Sequence, residues 1–576
     1  MQKRWIFGSG EPAVRDRLSH QLGVTPLIGQ LLANRGFIER DEADSFLWPK
    51  LTQLHDPELL SDMSKAVGRI RSAVKNREKI VIYGDYDVDG TTGSAVLLKF
   101  FEQVDYPAES YIPHRVEEGY GLNMDAVKEL AESGMNLMIT VDCGTKASEP
   151  IRFLQEKGID VVVTDHHLAD ELPPAYAIIN PSVEGSEYPF MHLAGSGVAF
   201  KLAWALSQSF SNQKKVSPEF REYLLTALGF VALGTVADVV PLLGENRILA
   251  RFGLTALRES KSPGILALSE KAGLQNRKLR ASDVSFRLAP RLNAAGRMGH
   301  ARETLELLMI NEEGRAFELA SALEDQNKER KKLVETMFKE AREMVEAGAL
   351  NESPVIVLSS PDWHVGVMGI VASRIIETYR RPCIVMALNG NIAKGSARSI
   401  RAYHITEAIS TCSDLLISFG GHSQAAGVQI ESDRIPEFRS RLVEHAEGIL
   451  TEEDFAPVLE VDSEVLLAQL SPQLVRDIES LEPFGEQNPE PVLVATGLAV
   501  AGVPKVMGSQ GNHISFIVRQ GEMSLRAVGF GMAAELKDVL ESGVRCSLAF
   551  TPTINEFRGK VSVELMLKDV HLLPDG

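Results

Sequence analysis

The chain has 576 residues, 44% of them hydrophobic and 24% charged, which is the make-up of a globular protein too long for one core. A net charge of −18 argues against wholesale coating of nucleic acid but leaves room for local basic grooves. Four scattered cysteines show no metal-ligand spacing and fit a reducing cytoplasm, and no run of about eighteen apolar residues predicts a membrane span.

Residues 1–50 read as a polar, helical arm containing "TPLIGQLLANRGF". From residue 79 the pattern changes to short apolar runs, each followed by an amphipathic helix: "KIVIYG", "AESYIP", "NLMITVD" and "DVVVTD". Continuous apolar runs of this kind predict strands buried on both faces of a parallel sheet, hence an α/β doubly wound domain over 51–265. Ligands of such sheets sit at the carboxyl ends of the strands. A helical connector is expected over 266–350, ending in a long helix whose apolar stripe is Leu333, Val334, Met337, Phe338, Ala341, Met344 and Val345. A second, smaller α/β unit follows over 351–452, with "PVIVLSS", "PCIVMAL" and "NIAKGSARS" as strands. From 453 to 576, five short strand-like runs and one helical insertion predict a small β-barrel of the oligonucleotide-binding (OB) type.

The charged residues are concentrated where those strands end. "VIYGDYDVDG" carries Asp85, Asp87 and Asp89, "MITVDCG" carries Asp142, and "VVVTDHH" carries Asp165, His166 and His167. Asp238 follows an apolar helical run in "GTVADVVPL". Carboxylates gathered on one sheet edge repel unless cations bridge them. A carboxylate and imidazole set without thiolates suits hard or borderline divalent ions, Mn²⁺ ahead of Mg²⁺, and two such ions form a clamp for phosphoryl chemistry. The competing explanation for any one aspartate is helix N-capping. Two windows run against the acidic total: 284–302 and 378–406 contain arginines and lysines but no acid.

"GDYDVDG", "VDCG", "TDHH" and "GTVADVVPL", in that order, resemble the four motifs of the DHH phosphoesterase superfamily, and "FGGHSQAAG" resembles the signature of its associated domain. With the barrel, and with "RLNAAGRMGHA", "LEDQNKERKK", "DWHVGVMGIVASRI" and "LEPFGEQNPEP", the chain is similar to RecJ-type exonucleases from about residue 25 to its end. That resemblance implies a DHH domain and a DHH-associated domain joined by a long helix, followed by an OB-type barrel. It implies hydrolysis of single-stranded DNA from the 5′ end to mononucleotides with two divalent ions, in DNA repair and recombination. It also implies single-strand-binding protein and a RecQ-type helicase as partners, and a monomeric cytoplasmic protein.

Carried over by motif, Asp87 and Asp89 are implied as metal ligands, Asp142 as the bridging ligand, His166 as the imidazole ligand and Asp238 as a closing carboxylate. His167 would face the substrate phosphate and Asp165 would orient the histidine pair. Asp85 stays open between a direct ligand and a supporting partner. Candidate phosphate holders are Arg115, Arg291, Arg297, Ser396, Arg398 and His422. The glycines around His422 read as backbone amides brought close to phosphate or as a tight helix-start turn. The barrel, with eight basic and eight acidic residues over 492–576 and only Phe516, Phe530, Phe550 and Phe557 as aromatics, is expected to hold single strand weakly. The rival readings are an oligoribonuclease or cyclic-dinucleotide phosphodiesterase of the same superfamily, or an inactive replication scaffold. The barrel and N-terminal arm speak against the first, and the intact carboxylates and histidines against the second.

Overall fold

Short apolar segments with no polar interruption suit the middle of a sheet, where both faces are covered and the backbone is paired on both sides, and residues 80–179 contain such a sheet. In the computed structural model, which describes residues 3–169, 171–211, 215–541, 543–557 and 559–573, this sheet contains β1 (Ile80–Gly84), β2 (Glu109–Tyr111), β3 (Leu137–Val141), β4 (Asp160–Thr164) and β5 (Ala177–Ile179). All pairings are parallel, in the order β2-β1-β3-β4-β5. The order reverses between β1 and β3, the place where a doubly wound sheet opens a crevice. Strand β5 is an edge strand that the sequence reading did not mark.

Of the helices around this sheet, three shape the site: α1 (Val88–Gln103), α2 (Gly195–Phe210) and α3 (Pro218–Ala237). Among the described residues, α3 is the one helix long and apolar enough to cross a membrane by length and composition, but 67% of that window is buried inside the protein. It packs against α1 and α2 as a core helix.

Helix α4 (Ala289–Met298) lies along the 35-residue α5 (Glu313–Ala347). Of the stripe expected on α5, Val334, Met337, Ala341 and Val345 are buried, whereas Met344 is 38% exposed and does not belong to it. Next comes a mixed sheet of β6 (Ile356–Ser360), β7 (Cys383–Asn389), β8 (Ile392–Arg398), β9 (Leu416–His422) and β10 (Ala425–Glu431), ordered β9-β10-β8-β7-β6. Segments 54–240 and 249–455 form one compact unit.

Residues 1–53, 241–248 and 456–576 form the other compact unit. Its barrel is built from β11 (Leu493–Met507), β12 (His513–Gln520), β13 (Met523–Gly529), β14 (Arg545–Phe557) and β15 (Lys560–Leu572). Pairing of β11 with β14 closes the ring and removes the open edges. The N-terminal arm is not a separate body. Leu18, Ile28, Leu31, Leu32 and Phe46 share one apolar core with Leu548, Phe550 and Leu565 of the barrel. Its first strand, Arg4–Phe7, pairs in parallel with Val458–Val461. Phe516 and Phe550 are core residues, Phe530 is 60% exposed, and the Phe557 side chain lies outside the described residues.

Candidate metal centre and basic groove

The register of the parallel sheet places the acidic residues. Gly84 pairs with Val141 and Val141 with Thr164, so Asp85, Asp142 and Asp165 each stand one residue beyond a strand at the same level. The ladder continues through them: Asp85 N–H donates to Val141 O at 3.1 Å, Asp142 N–H to Thr164 O at 2.9 Å, and Asp165 N–H to Ile179 O at 3.1 Å. Three carboxylates are thereby held in a row on one buried edge, each no more than 2% exposed.

The chain then turns into α1, and the other two aspartates of "GDYDVDG" take different tasks. Asp87 is the N-cap of α1, its Oδ1 accepting from Asp89 N–H at 2.8 Å and Gly90 N–H at 3.2 Å. Asp89 faces the start of α2, where Oδ2 accepts from Gly195 N–H at 2.6 Å and Oδ1 from Ser196 N–H at 3.0 Å. A helix N-terminus is a favourable place for a carboxylate. The approach leaves no space for side chains: a Cβ on Gly234 would lie 2.3 Å from Asp89 Oδ1, and one on Gly195 would lie 2.6 Å from Asp142 Oδ1. Capping and membership of the cluster therefore coexist at Asp87.

Ligand-type atoms converge in three overlapping sets, each within 4.8 Å: Asp85, Asp87 and Asp142; Asp89, His166 and Asp238; Asp142, His166 and His167. His166 Nε2 is 3.1 Å from Asp142 Oδ1 and 3.5 Å from Asp238 Oδ2. Asp238 reaches the centre as the C-cap of α3. Asp142 sits in the left-handed region at φ 62°, which aspartate tolerates better than most residues.

Burial, reinforced by the charge of Asp87, pushes the Asp89 carboxyl up to about 6. Asp85, Asp142 and Asp238 are raised well above the ordinary carboxylate value, by burial first and by neighbouring aspartates second. Asp85 Oδ1, Asp142 Oδ1 and His166 Nε2 are buried without a hydrogen-bond partner. Orphaned acceptors beside mutually repelling carboxylates fit divalent cations. Burial and the neighbouring His167 hold His166 down at about 4, so its ring is neutral at pH 7 and can offer a lone pair.

Asp165 stands outside the three sets. Its Oδ1 accepts from His166 N–H at 2.8 Å and His167 N–H at 3.2 Å, and lies 2.8 Å from His167 Nδ1; its Oδ2 accepts from Thr145 N–H. Although burial opposes it, this bonding to His167 keeps Asp165 at about 2. Burial would lower His167, but the Asp165 bond and charge raise it above its ordinary value. Tyr120, which the sequence reading missed, places its hydroxyl 2.9 Å from His167 Nδ1 and donates to Asp142 O at 3.2 Å. The signal in the sequence was an aromatic between two glycines, Gly119 and Gly121, both of which take positive φ in the fold.

A groove of about 730 Å³ is lined by Tyr86, Arg115, Tyr120, Gly366, Lys394 and Phe419. Arg115 lies over the Tyr86 ring at 4.7 Å. Arg297 donates to Gly366 O at 2.8 Å, and burial together with the charges of Arg115, Arg330 and Arg398 holds its pKa down at about 9. Arg398 donates to Ser396 Oγ at 3.1 Å, and a Cβ on Gly369 would press on both residues. Burial and the charges of Arg398, His404 and Lys146 lower His422. The "FGGHSQAAG" glycines form the β9–β10 hairpin rather than a helix start: Gly420 pairs with Gly427, and Gly421 with Ala426. Arg291 is set apart from this group, being occupied by Glu324 at 2.6 Å and the carbonyls of Arg287 and Lys271.

Family models match the DHH family N-terminal domain over residues 79–228, the DHHA1 domain over 352–448 and the RecJ OB domain over 461–569. The single-stranded-DNA-specific exonuclease RecJ of Bacillus subtilis is 40% identical over 98% of this chain and 70% of its own length. That of Haemophilus influenzae is 36% identical over 94% and 95%. Among solved structures, RecJ of Thermus thermophilus in complex with Mn²⁺ superposes with a TM-score of 0.83 at 30% identity, covering 100% of this chain and 80% of that one. Three domain matches in order and near-complete coverage by these relatives lead to one assignment: the chain belongs to the RecJ family.

Proposed function

We propose that this chain is a metal-dependent exonuclease specific for single-stranded DNA, working from the 5′ end, releasing 5′-mononucleotides and serving DNA repair and recombination. The observation that carries the reading is the buried row of Asp85, Asp142 and Asp165 beside the neutral imidazole of His166, linked through the Tyr120 hydroxyl to a groove that Arg115 and Lys394 also line. Two divalent ions, Mn²⁺ before Mg²⁺, would supply water activation and charge neutralisation at the scissile phosphate. Asp85, Asp87 and Asp142 would hold one ion, and Asp89, His166 and Asp238 the other, with Asp142 shared between them.

The remaining residues position substrate and protons. His167 Nδ1 is engaged by Asp165 and Tyr120, which leaves Nε2 to donate to a phosphate oxygen or to the departing 3′ oxygen. Asp165 fixes that ring and supports its charge. Arg115, Arg297, Ser396, Arg398 and His422 would hold the 5′ phosphate and adjacent backbone, guanidinium forks suiting phosphate oxygens. Arg291, bound to Glu324, is better suited to bracing α4 against α5.

The domain limits follow the motifs: arm 1–50, DHH domain 51–265, connector 266–350, DHH-associated domain 351–452 and barrel 453–576. The barrel would bind single strand, and single-strand-binding protein and a RecQ-type helicase would be its cellular partners, in the cytoplasm. Digestion of 5′- and 3′-labelled single-stranded oligonucleotides with Mn²⁺ or Mg²⁺ tests the reading. Mononucleotides released first from the 5′ label support it; release from the 3′ label, or no release with either metal, refutes it.

A further inference from the structure

Arg330 comes from the connector helix α5 and was not among the phosphate holders expected from sequence. Its Nε and Nη2 donate to Asn327 Oδ1 at 3.3 and 2.9 Å. Asn327 is 0% exposed, and its Nδ2 has no hydrogen-bond partner. A buried amide with unmet bonding is destabilising, a cost explained if the amide serves to aim the guanidinium. Helix α5 lies along α4, which carries Arg297. Gln326, one turn before Arg330, places Nε2 3.4 Å from where a Cβ on Gly299 would stand, two residues past Arg297.

The charge of Arg330, with those of Arg115 and Arg398, acts to lower the pKa of Arg297. Among the described residues, Arg297, Arg330 and Arg398 form no ion pair with a carboxylate. Like charges half-buried together without an acid need an anion to make their arrangement favourable. The four arginines come from four separate segments: the loop after β2, helix α4, helix α5 and strand β8.

We propose that Arg330, braced by Asn327, is a positioning residue for the 5′-terminal phosphate monoester: it adds charge behind Arg297 and ties the connector helix to the occupied pocket. This rests on the exonuclease reading above. A terminal monoester carries about −1.5 to −2 charge at pH 7, whereas a terminal hydroxyl carries none. The signature of Arg330 is therefore the ratio of activities on the two kinds of end, because a general structural defect would lower both together.

The test measures kcat/KM with Mn²⁺ on the same single-stranded oligonucleotide bearing a 5′ phosphate or a 5′ hydroxyl, for wild type, Arg330→Gln, Arg330→Lys and Asn327→Asp. Arg330→Gln should lower the preference for phosphate about tenfold, equivalent to ~1.4 kcal/mol. Arg330→Lys, which keeps the charge, should stay within about threefold of wild type. Asn327→Asp, which pairs the guanidinium with a carboxylate, should lower the ratio through KM. Should Arg330→Gln fail to fold, the Lys and Asp variants still separate charge from packing. Parallel loss on both substrates with an unaltered ratio, or a wild type indifferent to the 5′ phosphate, overturns the proposal. A wild type that degrades neither oligonucleotide refutes the exonuclease reading instead.

Discussion

Asp142→Asn should make the metal-free protein more stable and the metal-bound protein less so. Asparagine is nearly isosteric and tolerates the φ of 62° at this position. Asp142 has ligand atoms within 4.8 Å of both Asp85 and Asp87. Two unit charges at that distance repel by about 3 kcal/mol at an effective dielectric constant of 20. Proton uptake relieves part of this, because burial and the surrounding aspartates raise the folded pKa of Asp142 well above 3.8. The neutral His166 offers little compensating attraction. We expect a net gain of about 2–4 kcal/mol at pH 8 in EDTA, which is a few degrees of melting temperature for a unit of this size.

The pH dependence follows from the sign of the shift. A carboxyl whose folded pKa is raised contributes its stability fully below the unfolded value of about 3.9 and loses it as pH rises through the folded pKa. The advantage of Asp142→Asn should therefore be small near pH 4 and grow toward pH 8. Saturating Mn²⁺, at about a hundred times its dissociation constant, adds ~2.7 kcal/mol to wild type and much less to the variant. Differential scanning fluorimetry across pH 4–8, with EDTA or Mn²⁺, measures both effects. A variant less stable than wild type in EDTA at pH 8, or equally stabilised by Mn²⁺, would refute the view that Asp142 is a repelled metal ligand.

Gly234→Ala, whose Cβ would stand 2.3 Å from Asp89 Oδ1 and Ser196 Oγ, should weaken Mn²⁺ binding at least tenfold by calorimetry, even though alanine favours the helix. Tyr120→Phe removes the hydroxyl 2.9 Å from His167 Nδ1 and should lower kcat about five- to tenfold with little change in KM, equivalent to ~1 kcal/mol. Arg247→Ala leaves buried carbonyls without their donor and should destabilise the barrel-containing unit by about 3–5 kcal/mol, read as accelerated proteolysis of that unit. Arg247 is 1% exposed and donates to the carbonyls of Phe46, Leu481 and Glu482 at 2.7–2.9 Å.

Much of the metal centre could be read before folding, because its determinants are local. An apolar run ending in aspartate places a carboxylate at a strand terminus whatever lies beside it, and this happens at Asp85, Asp142 and Asp165. The alternation of such runs with amphipathic helices was enough for a parallel sheet, and short strands with turn residues were enough for the barrel. What sequence could not decide was which groups meet in space. The three aspartates of "GDYDVDG" look alike at period two, yet Asp87 caps α1, Asp89 receives the amides at the start of α2 more than a hundred residues later, and Asp85 keeps an unbonded oxygen in the cluster. Arg291 and Arg297 belong to the same basic window, but one meets Glu324 and the other meets Gly366. The "FGGHSQAAG" glycines permit either a helix start or a hairpin, and pairing with β8 selects the hairpin. The arm that reads as a polar helical segment finds its apolar partners in the barrel, some five hundred residues away. Backbone propensity and hydrophobic period act over a few residues, so the sequence alone determined most of the strands, the parallel class of the sheet and the kind of chemistry at the strand ends, but neither the edge strand β5 nor the order of the strands in the sheet. Charge pairing, register and shared cores depend on distances between remote segments, and those only the tertiary structure decided.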